Sequence, residues 1–272
     1  MSPINSDNLL NVGIEACLAA SNVIMDAANL PRVSSKKGKT DLVTETDLLS
    51  EKVIKSTIRS EFDDHSIMAE ESGKELTQSD YLWIIDPLDG TTNFVHGYPS
   101  YGISIGLYHK SKPLLGIVME MPNVKLYTAV IGGGAFCEGQ KIYPSETETL
   151  DESLLVTGFG YEHLENWERN MNLFKHFTDI TQGVRRLGAA AIDICHVASG
   201  LVDGYWEYDL KQWDMAAGLI IASEAGCRVT DIRGKKHQLE VDNVVVTNKL
   251  IHDELISESC LLYTSPSPRD RG

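Results

Sequence analysis

Cations are scarce in this chain. Its 272 residues hold 24 lysines and arginines against 39 aspartates and glutamates, a formal charge of −15. A surface that acidic repels a phosphate backbone, which argues against nucleic acid as a main partner. Cysteines are few and unpaired. Cys17, Cys137, Cys195, Cys227 and Cys260 form no Cys-x-x-Cys pair, and none stands near histidines at zinc spacing. They read as small apolar residues of a reducing compartment. The eight histidines are dispersed and build no evident nucleophile–base constellation, and His96 reads as structural. No apolar run nears the roughly 20 residues that span a bilayer. The N-terminus lacks the basic-then-apolar order of a signal peptide and the arginine content of most transit peptides. The expectation is a soluble cytoplasmic protein with no membrane partner. A plastid destination stays open should a transit peptide be missing from this chain. No internal repeat and no long linker stand out.

What is present is ordinary globular material, 42% hydrophobic and 23% charged, enough to bury a large core. Leu10, Ile14, Cys17, Ser21 and Met25 recur at helical spacing, predicting an amphipathic helix over 7–28. Thr46-Asp47 reads as a second helix start, with Leu49, Val53 and Ile58 on its buried face. Ser66-Ile67-Met68-Ala69 and Tyr81-Leu82-Trp83-Ile84-Ile85 are short apolar runs that end on acids, the pattern of buried strands. Ile103 to Met119 reads as a hairpin turning at Lys110-Ser111-Lys112-Pro113, and Leu126 to Val130 continues the meander. Helices follow over 166–177, 190–199 and 213–225, with strands at Tyr205-Trp206-Glu207 and Val244-Val245-Val246 and a final helix beyond. The fold class is α/β of the α+β type with a large antiparallel component. Cys260 to Asp270 reads as the in-frame translation of a common transposase sequencing adapter. The expected single domain is therefore 1–259, with 260–272 a non-native tail.

The chemistry gathers on acids. In Asp86-Pro87-Leu88-Asp89-Gly90-Thr91-Thr92, two carboxylates three residues apart follow an apolar strand. Pro87 stiffens the turn and Gly90 relaxes it. Carboxylates and an intervening carbonyl suit a hard cation such as Mg²⁺. A helix opening at Thr91 would offer N–H groups to a phosphate. A surface Asp-Gly turn explains the same letters. Glu70-Glu71 is either a second acidic contribution or a solvated face. Asp47 and Asp214 each fit a helix cap as well as a site. Gly132-Gly133-Gly134 lacks the Lys-Ser/Thr of a phosphate loop and reads as a structural loop.

The combination is more specific than its parts. Asp41-Leu42-Val43-Thr44 with Asp47, Glu70-Glu71-Ser72, Trp83-Ile84-Ile85-Asp86-Pro87-Leu88-Asp89-Gly90-Thr91-Thr92-Asn93-Phe94 and Trp213-Asp214-Met215-Ala216-Ala217-Gly218 resemble the inositol monophosphatase family, from the first helix to about Asn248. Arg185-Arg186-Leu187-Gly188-Ala189-Ala190-Ala191 and Trp206-Glu207-Tyr208 look closest to cyanobacterial and plant-plastid members. The resemblance implies a layered αβαβα sugar-phosphatase fold, with a large antiparallel sheet and a second smaller one. It also implies a homodimer, two or three Mg²⁺ per site and sensitivity to Li⁺. Residues 1–145 would carry the metals and 146–259 the substrate. By position, Glu70, Asp86 and the Leu88 carbonyl match ligands of a first metal, and Asp86, Asp89 and Asp214 those of a second. Asp47, Thr91 and Glu70 form the catalytic set, with Asp47 and Thr91 orienting the attacking water. Gly90 and Thr91 match phosphate contacts. Gly188, Ala189, Ala190, Glu207 and Asp214 match substrate contacts, Glu207 taking a polyol hydroxyl. The implied reaction is hydrolysis of inositol monophosphate. Histidinol phosphate, 3′-phosphoadenosine 5′-phosphate and fructose 1,6-bisphosphate are the alternatives. Ala189 stands where some members carry a hydroxyl, and Gly158-Phe159-Gly160-Tyr161-Glu162-His163 lacks the serine-rich run of animal members.

Overall fold

The helical period at the start of the chain folds as α1 (Ser6–Ala28), with Cys17 and Ser21 of the expected stripe buried beside Leu9, Val12, Ala16, Ala20 and Ile24. Leu10, Ile14 and Met25 lie on its flank, because the alanines make the closest approach to the core. The computed structural model describes residues 6–30, 34–36, 42–160 and 164–264. Asp41 of the first motif, the loop 37–40, Tyr161 to His163, the side chain of Lys36 and everything beyond Thr264 lie outside the described residues. One expectation needs correcting. By length and composition α1 could cross a membrane, with a mean hydropathy of 1.3 over 18 residues. An average tolerates isolated polar residues such as Glu15 where an uninterrupted run does not. In this fold the stripe packs on the large sheet.

After the short ribbon β1 (Ser34–Lys36) and β2 (Leu42–Thr44) comes α2 (Glu45–Glu61). Its buried face is the expected one only at Ile58. Leu49 is 43% exposed and Val53 half-buried, while Thr46, Asp47, Ser50, Glu51, Ile54 and Ile58 point inward. Four of these six residues are polar, so apolar periodicity misplaces most of the buried face.

The large sheet holds β3 (Ser66–Ala69), β4 (Gly73–Glu75), β5 (Tyr81–Asp89), then β6 (Tyr101–His109) after α3 (Thr91–His96), β7 (Lys112–Met121), β8 (Lys125–Val130), β9 (Gly134–Cys137) and β10 (Gln140–Lys141). Their order is β10-β9-β8-β7-β6-β5-β3-β4, antiparallel except where β3 runs parallel to β5. Lys110 and Ser111, at φ of +52° and +60°, make the mirror-image two-residue turn that suits the twist of a hairpin.

The second sheet is β12-β11-β13-β15-β14. It contains β11 (Leu154–Thr157), β12 (Gly183–Arg185), β13 (Gly204–Tyr208), β14 (Arg228–Thr230) and β15 (Asn243–Thr247), interleaved with α4 (Glu165–Ile180), α5 (Ala190–Ala198), α6 (Gln212–Ala225) and the final α7 (His252–Thr264). Three cores separate the layers. One lies between α1, α2 and the large sheet. A second holds α5 and α6 between the sheets, and a third lies under α4 and α7. The layered αβαβα architecture is therefore present. α6 lies unusually close to the large sheet. Gly106 and Gly116 pair across β6 and β7, and a Cβ on Gly116 would stand 2.5 Å from the Ala217 carbonyl oxygen. This close approach fixes where the first turn of α6, with Asp214, emerges.

Candidate active site

Strand β5 does not stop at Ile85. It continues through Asp86-Pro87-Leu88-Asp89, and its pairing with β6 shifts register between Asp86 and Asp89. The expected turn is thus a bulged strand end, with Gly90 as the left-handed residue (φ +83°) that opens α3. A Cβ there would meet the Ser100 carbonyl oxygen at 2.9 Å.

The bulge aims its groups into a cleft of about 330 Å³. Its lining includes Glu70, Asp86, Leu88, Asp89, Gly90 and Thr91 from the first half of the chain. Gly188, Ala189, Ala190, Glu207 and Asp214 come from the second half. Every expected site residue but one therefore lines a single cleft. Asp47 stands behind it, fully buried, with Oδ1 2.9 Å from the Thr91 hydroxyl. The cap reading of Asp47 is half right. Thr44 is the N-cap, and Asp47 closes the capping box by accepting from the Thr44 N–H at 2.8 Å. Asp214 is the third residue of α6 and accepts from the Lys211 N–H at 2.6 Å, so it too supports a helix start while facing the cleft. His96 is exposed at the end of α3 and is absent from the lining. Gly132 and Gly134 donate their N–H groups to the Glu224 carboxylate, so the triple-glycine loop is a docking point for α6.

Sequence reasoning missed the supports. Ser50 donates to the Pro87 carbonyl at 2.8 Å, and Glu51 accepts from the Glu71 N–H at 2.9 Å. The polar stripe of α2 therefore braces both acidic stretches from behind. Asp89 accepts from Ala190 and Ala191 at 3.2 and 2.8 Å. These are the first N–H groups of α5, whose N-cap Ala189 has no side chain to satisfy them. Arg186 and Lys211 also line the cleft, from exposed positions at its edge.

Burial pushes the Asp86 carboxyl well above its ordinary range, and the charges of Glu70, Asp89 and Asp214 push it further. Asp89 is raised for the same reasons, burial first and then Asp214, against the opposing hydrogen bond from Ala191. Burial also raises Asp47. Glu207, which accepts from the Tyr205 hydroxyl at 2.6 Å, is pushed up to about 8, chiefly by burial. Carboxylates that raise one another in a buried cleft form a site of excess negative potential, one that a hard divalent cation would relieve.

The family model for the inositol monophosphatase family matches residues 5–262. The chain belongs to the inositol monophosphatase family. Phosphatase IMPL1, chloroplastic, of Arabidopsis thaliana is 48% identical, covering 93% of this chain and 70% of that one. Inositol-1-monophosphatase of Synechocystis is 42% identical over 93% and 89%, and Nus factor SuhB of Escherichia coli K12 is 36% identical over 88% and 91%. Among solved structures, inositol monophosphatase from Anabaena superposes with a TM-score of 0.83 at 39% identity, covering 97% of this chain and 98% of that one. An IMPase/NADP phosphatase complexed with NADP and Ca²⁺ gives 0.83 at 25% over 94% and 97%. A LiCl-soaked inhibitory complex of staphylococcal inositol monophosphatase-1 gives 0.82 at 25% over 94% and 96%.

The donors of this family member suit a divalent cation in chemistry, since Glu70, Asp86, Asp89, Asp214 and the Leu88 carbonyl offer oxygen alone. Among the described residues, no three His, Cys, Asp or Glu side chains are yet drawn around one point. Asp86, Asp89 and Asp214 each accept from a backbone N–H, which fixes the carboxylates and leaves them lone pairs for an ion.

Proposed function

We propose that this chain is a Mg²⁺-dependent phosphomonoesterase that hydrolyses inositol monophosphate or a similar phosphorylated polyol. The observation that carries the reading is the buried Asp86, placed where Glu70, Asp89 and Asp214 all act on its charge beside the glycine-opened start of α3. Glu70, Asp86, Asp89, Asp214 and the Leu88 carbonyl would hold the ions. Bound divalent cations supply charge neutralisation and an acidified water to such a reaction.

The chain's own groups do the rest. The Thr91 hydroxyl lies 2.9 Å from Asp47 Oδ1 and 3.0 Å from the Leu88 carbonyl. A carboxylate is the stronger acceptor, so the Thr91 proton goes to Asp47 and the Thr91 oxygen is left to accept from an attacking water. The backbone at Gly90 and Thr91 faces the cleft, where the opening of α3 favours a phosphate. Glu207, across the cleft and held by Tyr205, takes a hydroxyl of the polyol.

One observation favours a sister substrate. Arg186 brings a cation to the cleft, which suits a second anionic group such as that of a bisphosphate or a nucleotide. Phosphate release from inositol 1-phosphate, histidinol phosphate, 3′-phosphoadenosine 5′-phosphate and fructose 1,6-bisphosphate, each with Mg²⁺, EDTA or Li⁺, separates these readings. Turnover of none of them with Mg²⁺ rejects the phosphatase. Preference for the nucleotide or the bisphosphate moves the assignment to the sister class.

A further inference from the structure

The largest cavity described is not the catalytic cleft. It encloses about 820 Å³ against about 330 Å³, and it lies end to end with the cleft along the same strands. Met68 and Ile84 line it, while Glu70 and Asp86, two residues further along, line the cleft. Residues i and i+2 of a strand share a face, so both spaces open on one side of the large sheet. Helix α6 packs on β5 to β9 and leaves a trough beside β3, roofed by residues 236–240. The first turn of α6 is the partition, with Gln212 on the trough and Trp213 and Asp214 on the cleft.

The two spaces differ in chemistry. Met68, Leu82, Ile84, Leu219, Ile220 and Leu239 form the apolar part of the trough's lining, beside polar groups such as Ser66, Thr77, Ser79 and Gln238. Its mouth carries Lys110, Lys112 and Lys236 with Asp80 and Glu240. Lys110 pairs with Asp80 at 3.4 Å across an exposed surface. Among the described residues, Lys112 and Lys236 enter no ion pair. His237 lines the same space, and its Nε2 is buried with no hydrogen-bond partner. In a chain of net charge −15, three lysines against Asp80 and Glu240 leave the edge of this trough locally cationic.

We propose that this trough is a second small-molecule site for an amphipathic anion, with an apolar body against Met68, Leu82 and Leu219 and an acidic head at Lys112 and Lys236. The occupant is distinct from the polyol phosphate of the cleft and does not depend on what the cleft hydrolyses. It is chemically a fatty-acid-like or aromatic carboxylate. Because α6 divides the spaces, an occupant would lie against the helix that presents Asp214.

The test is a fluorescence titration of the full chain with 8-anilinonaphthalene-1-sulfonate, followed by displacement with decanoate. One saturable dye site is expected, displaced by decanoate and not by Mg²⁺ with inorganic phosphate. The surface double variant Lys112→Glu/Lys236→Glu should weaken decanoate by about tenfold while leaving 1-decanol within about twofold, since it removes charge and not apolar wall. Leu239→Trp, which fills the trough, should abolish dye binding without changing phosphate release. Absence of a saturable site, displacement by Mg²⁺ with phosphate, or equal decanoate affinity in the double variant would each overturn the proposal.

Discussion

The two sheets contribute to one cleft by opposite means. The large sheet, with α2 behind it, delivers charge: Glu70, Asp86 and Asp89 arrive on strand ends, and each is braced or crowded by other acids. The smaller sheet and its helices deliver shape. Gly188, Ala189 and Ala190 present backbone, and Glu207 is a single buried carboxyl that its own tyrosine orients. The first arrangement costs folding free energy, since like charges are held together away from water. The second brings fewer charges together, although burying Glu207 carries its own cost. The expected division of reaction type from substrate choice is crossed by Asp214 of α6 and by the hold of α5 on Asp89, and disturbing each part alone tests how far it goes.

The largest effect should come from Asp86→Asn. Loss of one charge at the centre of the acidic set should lower kcat/KM at least about 10³-fold, near 4 kcal/mol, and equally for every phosphate ester tried. A loss confined to one ester would mean that Asp86 belongs to substrate choice. Thr91→Ala should cost about 10²-fold, or ~2.7 kcal/mol, in kcat, with KM within about threefold, because it removes an orienting group. A rise in KM alone would place Thr91 with binding.

The cost of holding the charges together is itself measurable. Asp86 and Asp89 are raised well above their ordinary values, and Glu207 to about 8. Folded carboxyls that titrate above their unfolded values keep protons the unfolded chain has lost. Stability of the metal-free protein must therefore fall as pH rises from about 4 towards and through 8. Melting in EDTA should come at least ~4 °C lower at pH 8.5 than at pH 5.5, a difference on the order of 2 kcal/mol, and Mg²⁺ should restore more at the higher pH. A melting temperature that does not change with pH would show that the acids are better solvated than this geometry implies. The smallest effect belongs to the second sheet. Glu207→Gln should weaken inositol 1-phosphate turnover about tenfold, ~1.4 kcal/mol, and leave a simple aryl phosphate within about threefold. An equal loss on both would dissolve the division between the halves.

The elements of the chain were legible because their patterns are strong. The apolar run ending on Glu70, the Lys110-Ser111 hairpin and the helix over 213–225 fold where their letters indicate, while the run before Asp86 extends four residues further as strand. The acidic positions were legible as a set, since Asp86-Pro87-Leu88-Asp89-Gly90-Thr91 and Trp213-Asp214 share a cleft. What failed was any inference that equates inward with apolar. The buried face of α2 was misread because Asp47, Ser50 and Glu51 face inward to serve hydrogen bonds with residues 20 to 44 positions away, such as Glu71, Pro87 and Thr91. The grip of α5 on Asp89 spans about a hundred residues, a distance over which no local pattern carries information. α1 shows the converse, where an average and a run give different answers about one helix.

The Asp89 contacts also bear on inheritance. Ala190 and Ala191 hold that carboxylate by their peptide groups, so the hold is written in no side chain. Both alanines are buried and Ala190 lines the cleft, so packing and not the hydrogen bonds limits what can replace them. A change at Ile194 or Val197, buried deeper along α5, could tilt the helix and loosen the acid from afar. Descendants of this sequence would then differ in ion affinity through residues that never approach an ion.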